Sequence, residues 1–144
     1  MRTVLISGGS RGIGAAIVKA FAAAGDRVAF FYRENKAAAA AVENETGARG
    51  FCCDVSDPAA VRAAVAAVRA AFGPIEVLVN NAGVSLFCLS RDTDDAAFRR
   101  VMDTDFSGVF YLCREVQPDM IRAGGGRIIN IGSMWGKYGA VSYT

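Results

Sequence analysis

The run Ser7-Gly8-Gly9-Ser10-Arg11-Gly12-Ile13-Gly14 has the residue types and spacing to hold a phosphate. Peptide N–H groups bind anions where nothing bulky stands before them, and the first turn of a helix adds a favourable dipole. A side chain at Gly12 or Gly14 is expected to block that approach. Further groups along the chain could complete such a site. They are Arg33, Asp54-Val55, and the pair Asn80-Asn81 followed by the small Ala82-Gly83. Other chemistry is excluded. The chain has no histidine, so an imidazole base, and with it Ser-His-Asp hydrolysis, is ruled out within these residues. Cys52, Cys53, Cys88 and Cys113 show no C-x-x-C pairing, and no metal site is expected of them. They read as buried or strand-borne thiols.

Phosphate-binding groups need a frame, and the composition supplies one. The 144 residues are 53% apolar, enough for one domain with a true core. Sixteen basic and 14 acidic residues are spread along the chain, giving a net charge of +2. This is neither a nucleic-acid footprint nor a basic membrane patch. The start of the chain, with one arginine and a short apolar run, is too short for a signal sequence or membrane span, so a cytoplasmic location is expected.

Apolar runs of strand length alternate with segments of helical period, the pattern of repeated βα units around a parallel sheet. Thr3–Ser7 predicts a first strand. Ile13, Ala16, Ile17, Ala20, Phe21 and Ala24 predict the helix after it, ended by Gly25. Arg27–Tyr32 predicts a second strand buried on both faces, followed by an alanine-rich helix over Lys36–Glu45. A third strand over Arg49–Val55 leads through a cap at Ser56 or Asp57 into a helix with a stripe of Val61, Ala64, Val65, Val68 and Phe72. Ile75–Val79 predicts strand 4. A long helical stretch from Asp94 to Ala123 follows, with a break at Thr104 or Pro118, and Arg127–Ile131 predicts strand 5. The resulting fold is a doubly wound α/β domain with strand order 3-2-1-4-5, and ligands of such sheets sit at the carboxyl ends of strands 1 and 4.

In this frame the glycine run lies between a strand and a helix, which makes dinucleotide binding its reading. A turn with no ligand is the bland alternative. The residues then resemble a known family. Ser7-Gly8…Gly12-Ile13-Gly14 is similar to the TGxxxGIG element of classical short-chain dehydrogenases/reductases, with Ser7 in the usual threonine place. Asn80-Asn81-Ala82-Gly83 resembles that family's NNAG element, Asp54-Val55 its adenine-contacting pair, and Ser133 its catalytic serine. The resemblance runs from Arg2 to Thr144 and implies the first part of a family domain, with the later strands lying past this stretch. It further implies cofactor contacts at Gly8, Ser10, Arg11, Gly12, Ile13, Gly14, Arg33, Asp54, Val55, Asn81, Ala82 and Gly83.

The implied chemistry is hydride transfer to a ketone carbon, with a tyrosine hydroxyl giving a proton to the oxygen and a serine hydroxyl polarising it. Ser133 matches the serine, and Ser142-Tyr143-Thr144 resembles the start of the family's Y-x-x-x-K element. Tyr143 follows Ser133 by ten residues, a shorter interval than is usual in the family. Either the loop is shortened or the tyrosine lies past Thr144. The lysine of the element would also lie past Thr144, so this stretch alone is expected to be inactive. Asp105 stands where the family usually has an asparagine of its proton relay. Buried, it would carry a desolvation cost or a raised pKa.

Cofactor choice rests on the end of strand 2, where a carboxylate would hold a ribose 2′-hydroxyl and an arginine a 2′-phosphate. Arg33, with Arg11 converging, points to NADP, and Glu34 is the counterweight that would favour NAD. The expected function is NADPH-dependent reduction of a 3-oxoacyl carrier-protein substrate or similar ketone. Ser133-Met134-Trp135-Gly136 and Cys113-Arg114-Glu115 also resemble bacterial family members named elongation factor P 5-aminopentanone reductases. A non-catalytic NADP-binding fragment or sensor is the alternative. A small-molecule or carrier-bound ketone and a second copy of the chain are the expected partners.

Overall fold

The computed structural model describes residues 1–136. Five parallel strands form one sheet in the order β3-β2-β1-β4-β5. They are β1 (Thr3–Ser7), β2 (Arg27–Tyr32), β3 (Arg49–Cys52), β4 (Val77–Asn80) and β5 (Arg127–Asn130). Each is joined to the next through helix: α1 (Gly12–Ala23), α2 (Lys36–Thr46), α3 (Pro58–Phe72), then α4 (Asp95–Met102) and α5 (Gly108–Arg122). The order reverses between β1 and its two neighbours, so a crevice opens at the carboxyl ends of β1 and β4.

The central strands β1, β2 and β4 are buried on both faces because successive apolar residues fill their middle positions. Val4 and Ile6 of β1, Val28 and Phe30 of β2, and Val77 and Val79 of β4 point to one face, where they pack with Val18 of α1 and Val42 of α2. Leu5, Ala29, Phe31 and Leu78 point to the other, against Val61, Val65 and Val68 of α3 and Leu112, Val116 and Met120 of α5. The period-2 alternation of side chains thus feeds two cores from one set of strands.

Two local features differ from the sequence expectation, and a third, the helix break, follows it. The buried side of α1 carries Gly14 and Val18, flanked by the partly buried Ile17 and Phe21, while Ile13 is 65% exposed. A helix rich in alanine has no sharp apolar stripe, so pattern alone mis-phased it. The long helical stretch does break at Thr104, as a π-helical turn over Asp103–Ser107, and Pro118 is carried inside α5. Of the cysteines, Cys53 is buried and Cys52 ends β3, but Cys113 is half-buried on α5 and Cys88 half-buried in the loop before α4. Helix and loop positions accommodate a small apolar thiol as readily as a strand does.

At β5 the residues Ile128, Ile129 and Ile131 are each more than a third exposed. This edge of the sheet has no neighbouring strand among the described residues.

Candidate dinucleotide site at the β1–α1 junction

The carboxyl ends of β1, β2, β3 and β4 surround a cleft of about 570 Å³. Gly8, Ser10, Arg11, Gly12, Ile13 and Gly14 form one wall, Arg33 and Glu34 the outer end, Asp54 and Val55 the next side, and Asn81, Ala82 and Gly83 the far side. The fold therefore brings every residue expected to touch a dinucleotide to one cleft. Thr104 of the π-helical turn and Val84 close it.

The floor of the site is built from Ser7. Its buried hydroxyl accepts the N–H groups of Asn81 and Ala82, each at 3.0 Å, and donates to the Val79 carbonyl at 3.5 Å. The Asn81 side-chain amide donates back to the carbonyls of Ser7 and Gly8, each at 3.1 Å. These bonds lock the end of β1 to the loop after β4. Ser7 was absent from the expected contacts because its part is to position others. The sequence signal for it was a hydroxyl at the last position of a fully buried strand, where it must find partners.

Two glycines answer separate needs. Gly12 has φ +53°, a left-handed conformation that favours glycine, and the space where its Cβ would stand is open. At Gly14 a Cβ would lie 2.0 Å from the Gly8 carbonyl oxygen and 2.6 Å from Asn81 Nδ2. Gly14 is thus required by the packing of the helix on its own loop.

Helices α2, α3 and α4 begin with side-chain caps from Asn35, Asp57 and Asp94, whereas no side chain caps α1. The Gly9 N–H is taken by the Phe31 carbonyl at 3.0 Å. The first-turn amides of α1, at Gly12, Ile13 and Gly14, have no intrahelical acceptor by the geometry of a helix end. They face the cleft with the positive end of the helix dipole. A pyrophosphate fits that donor set.

At the outer end, Arg33 Nε meets Glu34 Oε1 at 2.8 Å. Asp54 Oδ1 accepts the Ser56 hydroxyl at 2.7 Å and the Ser56 N–H at 3.0 Å. Burial pushes the Asp54 carboxyl up, but the two Ser56 bonds and the Arg33 charge outweigh it and hold the group below the usual carboxylate range. Asp54 is therefore an anion and a ready acceptor. The neighbouring Cys53 thiol is pushed up to about 12, mainly by burial and then by the Asp54 charge, so it stays protonated and inert.

The expected catalytic positions divide. Tyr143 lies outside the described residues. Ser133 follows β5 at the same end of the sheet, where its carbonyl accepts the Gly136 N–H at 3.0 Å. The end of β5 is held there by the Asn80 amide, which donates to Asn130 Oδ1 at 2.8 Å, and by the Ile131 N–H, which donates to the Asn80 carbonyl at 2.9 Å. Asp105 sits in the π-helical turn and accepts the Val84 N–H at 2.8 Å. It is exposed, not buried. Its carboxylate instead tethers the loop that follows Gly83, an acceptor's role that asparagine could equally fill.

Residues 2–144 match the short chain dehydrogenase family. The chain is 40% identical over 136 residues to a D-threitol dehydrogenase of Mycolicibacterium smegmatis, covering 92% of this chain and 52% of that protein. It is also 40% identical over 146 residues to an acetoacetyl-CoA reductase of Rhizobium meliloti, covering 99% of this chain and 61% of that one. Among solved structures, an actinorhodin polyketide ketoreductase variant with NADPH superposes with a TM-score of 0.92 at 33% identity, over 97% of this chain and 56% of that one. The chain thus spans little more than half the length of the proteins it matches. A match along nearly all of its residues, together with a cleft at the switch point of its sheet, places this chain in the short-chain dehydrogenase family of oxidoreductases.

Proposed function

We propose that the protein containing this chain is an NADPH-dependent reductase of 3-oxoacyl thioesters or closely similar ketones. The observation that carries the reading is the uncapped, glycine-lined start of α1, which opens beside Arg11 and Arg33 on a cleft long enough to reach from Asp54 to Gly83. Likeness to an acetoacetyl-CoA reductase and to a ketoreductase with NADPH supports the thioester and the phosphorylated cofactor. The likeness to a D-threitol dehydrogenase leaves a polyol, or the ketone derived from it, as a second candidate substrate class.

NADPH would supply the hydride. Residues of this chain would bind and orient the cofactor. The amides of Gly12, Ile13 and Gly14 hold the pyrophosphate, Arg11 and Arg33 the 2′-phosphate, and Asp54 accepts from the adenine amino group. Asn81, Ala82 and Gly83 line the passage toward the sheet end where Ser133 lies. The Ser133 hydroxyl would polarise the substrate oxygen there, and a tyrosine hydroxyl, by the resemblance that of Tyr143 or of a residue past Thr144, would give that oxygen a proton as the carbonyl carbon is reduced. A cytoplasmic location and self-association belong to the same proposal. Among the described residues no helix is long and apolar enough to cross a membrane.

The test is direct. NADPH fluorescence is titrated against the full-length protein, and acetoacetyl-CoA is then added while NADPH absorbance is followed. Binding with substrate-dependent loss of NADPH supports the proposal. Binding without turnover would make the protein a dinucleotide-binding module, and no binding would remove the reading of the cleft altogether.

A further inference from the structure

We infer that the Thr104 hydroxyl is a further ligand contact, a hydrogen-bonding group held for the adenosine half of a bound dinucleotide. The inference deepens the proposed function and rests on the cleft being a dinucleotide site.

Among the described residues the buried polar side chains are those of Thr3, Ser7, Asn80, Thr104 and Asp119. All but one have partners within the chain. The Thr3 hydroxyl donates to the Phe72 carbonyl at 3.0 Å, Ser7 accepts the Ala82 N–H, Asn80 donates to Asn130, and Asp119 accepts from Arg69. Thr104 is only 8% exposed, yet its side chain has no partner among the described residues. A hydroxyl withdrawn from bulk water without a partner opposes folding, and departures of this kind gather at functional sites.

The place of Thr104 says which part of a ligand would complete it. Thr104 lines the cleft and stands in the π-helical turn four residues before Gly108, so the two share one face of the helical run. Gly108 is pressed against Val55, since a Cβ there would lie 3.0 Å from Val55 Cγ2 and 3.1 Å from the Val55 carbonyl oxygen. The face that carries Thr104 is therefore laid on the Asp54–Val55 side of the cleft. The next residue, Asp105, belongs to the opposite wall, where it accepts the Val84 N–H at 2.8 Å. Thr104 thus occupies the corner between Val55 and Gly83. A dinucleotide with its pyrophosphate on the amides of α1 and its adenine at Asp54 sets its adenosine in that corner. Adenosine brings ring nitrogens that accept and ribose hydroxyls that do both, and a threonine hydroxyl can pair with either. The side chains around it cannot donate: Val55 and Gly83 have no polar group, and the Asp54 carboxylate is an acceptor already engaged by Ser56. Because the corner is not the outer end where Arg33 lies, the contact serves NADPH and NADH alike.

The experiment measures dissociation constants for the full-length protein, Thr104→Val and Thr104→Ser. NADPH and NADH are titrated by fluorescence, and 2′,5′-ADP and nicotinamide mononucleotide, which stand for the two halves of the cofactor, are titrated by displacement of NADPH. Valine keeps the shape of threonine without its hydroxyl, whereas serine keeps the hydroxyl. Thr104→Val is expected to weaken NADPH, NADH and 2′,5′-ADP alike by about 3- to 10-fold, the worth of one neutral hydrogen bond, and to leave nicotinamide mononucleotide as in the parent. Thr104→Ser should restore the affinity for 2′,5′-ADP. The urea midpoint of unliganded Thr104→Val should equal or exceed that of the parent, because valine has no polar group to satisfy. Parent-like affinity of Thr104→Val for 2′,5′-ADP overturns this inference. Equal weakening of the mononucleotide, or a lowered urea midpoint, does so as well by marking the hydroxyl as structural. Each of those outcomes leaves the dinucleotide reading intact. Failure of both cofactors to bind the parent protein overturns both.

Discussion

Gly14 is the residue at which packing and binding are hardest to separate, and its geometry decides between them. A methyl group added there would stand 2.0 Å from the Gly8 carbonyl oxygen, so the loop or the helix must move. Overpacking of this kind costs roughly 1–3 kcal/mol. The displacement would fall on Gly8 and Asn81, which carry the bonds that tie the loop to the end of β4. Gly14→Ala is therefore expected to lower stability by that amount in urea titration and to weaken NADPH at least tenfold in the same preparation. Stability loss with undiminished affinity would show that the loop relaxes without disturbing the amides of the first turn.

At the scale of the elements, α3 and α5 are joined by a buried anion. Asp119 of α5 is 2% exposed and accepts from Arg69 Nε at 2.8 Å, from Arg122 Nη2 at 2.6 Å and from the Ile75 N–H at 3.2 Å. The Arg69 guanidinium also donates to the Glu115 carbonyl. One carboxylate thus fixes the end of α3, the turn before β4 and the last turns of α5. Burial pushes its pKa up, but the Arg69 bond, the Ile75 N–H and the two guanidinium charges prevail, leaving it lowered. With the folded pKa below the unfolded value of about 3.9, the contribution is fully present above pH 4 and is lost as pH falls through the folded value. Asp119→Ala should cost about 3–5 kcal/mol at neutral pH, as removal of one partner of a buried pair does. Asp119→Asn, which keeps an acceptor for Ile75, should cost less. It should also flatten the acid limb of a stability-against-pH curve measured by urea unfolding. An unchanged acid limb would mean that the other lowered carboxylates, Asp26 and Asp54, dominate it.

The order of these elements was legible because uninterrupted runs such as Val28–Tyr32 leave no polar face, a pattern that only a strand covered on both sides tolerates. The residues around the cleft were legible because short turns after each strand must converge at one end of a parallel sheet. What escaped depended on distances between parts far apart in sequence. Asp119 stands in the apolar stripe formed by Leu112, Val116 and Met120, and its partner Arg69 lies fifty residues away. An acid inside a buried stripe was a readable signal, but its partner was not. Exposure of Asp105 likewise follows from the π-helical turn, whose extra residue re-aims the side chains around it. The phase of α1 was lost because alanine scarcely distinguishes one face of a helix from another.

Taken as a whole, the molecule buries its sheet well at β1, β2 and β4 and leaves a different surface at the β5 side. Phe98, Met102, Phe106 and Phe110 recur at four-residue spacing through α4, the π-helical turn and α5, and they are 58, 38, 69 and 56% exposed. Residues four apart are neighbours on a helical surface, so these side chains form a band rather than scattered points. The Arg114 guanidinium lies 5.4 Å from the centroids of both Phe110 and Tyr111, extending the band with a weakly hydrated cation of the kind enriched at interfaces. Contiguous exposed apolar bands mark association surfaces. Self-association of the full-length protein through this band is the expectation, and Phe106→Ser with Phe110→Ser tests it, since both side chains are more than half exposed and neither substitution opens a core cavity. Sedimentation velocity over a hundredfold range of concentration should show the parent as an oligomer and the double variant shifted to smaller species, with NADPH affinity unchanged because none of the band's own residues lines the cleft. A variant that keeps the parent's sedimentation coefficient would assign the band to contacts within one chain.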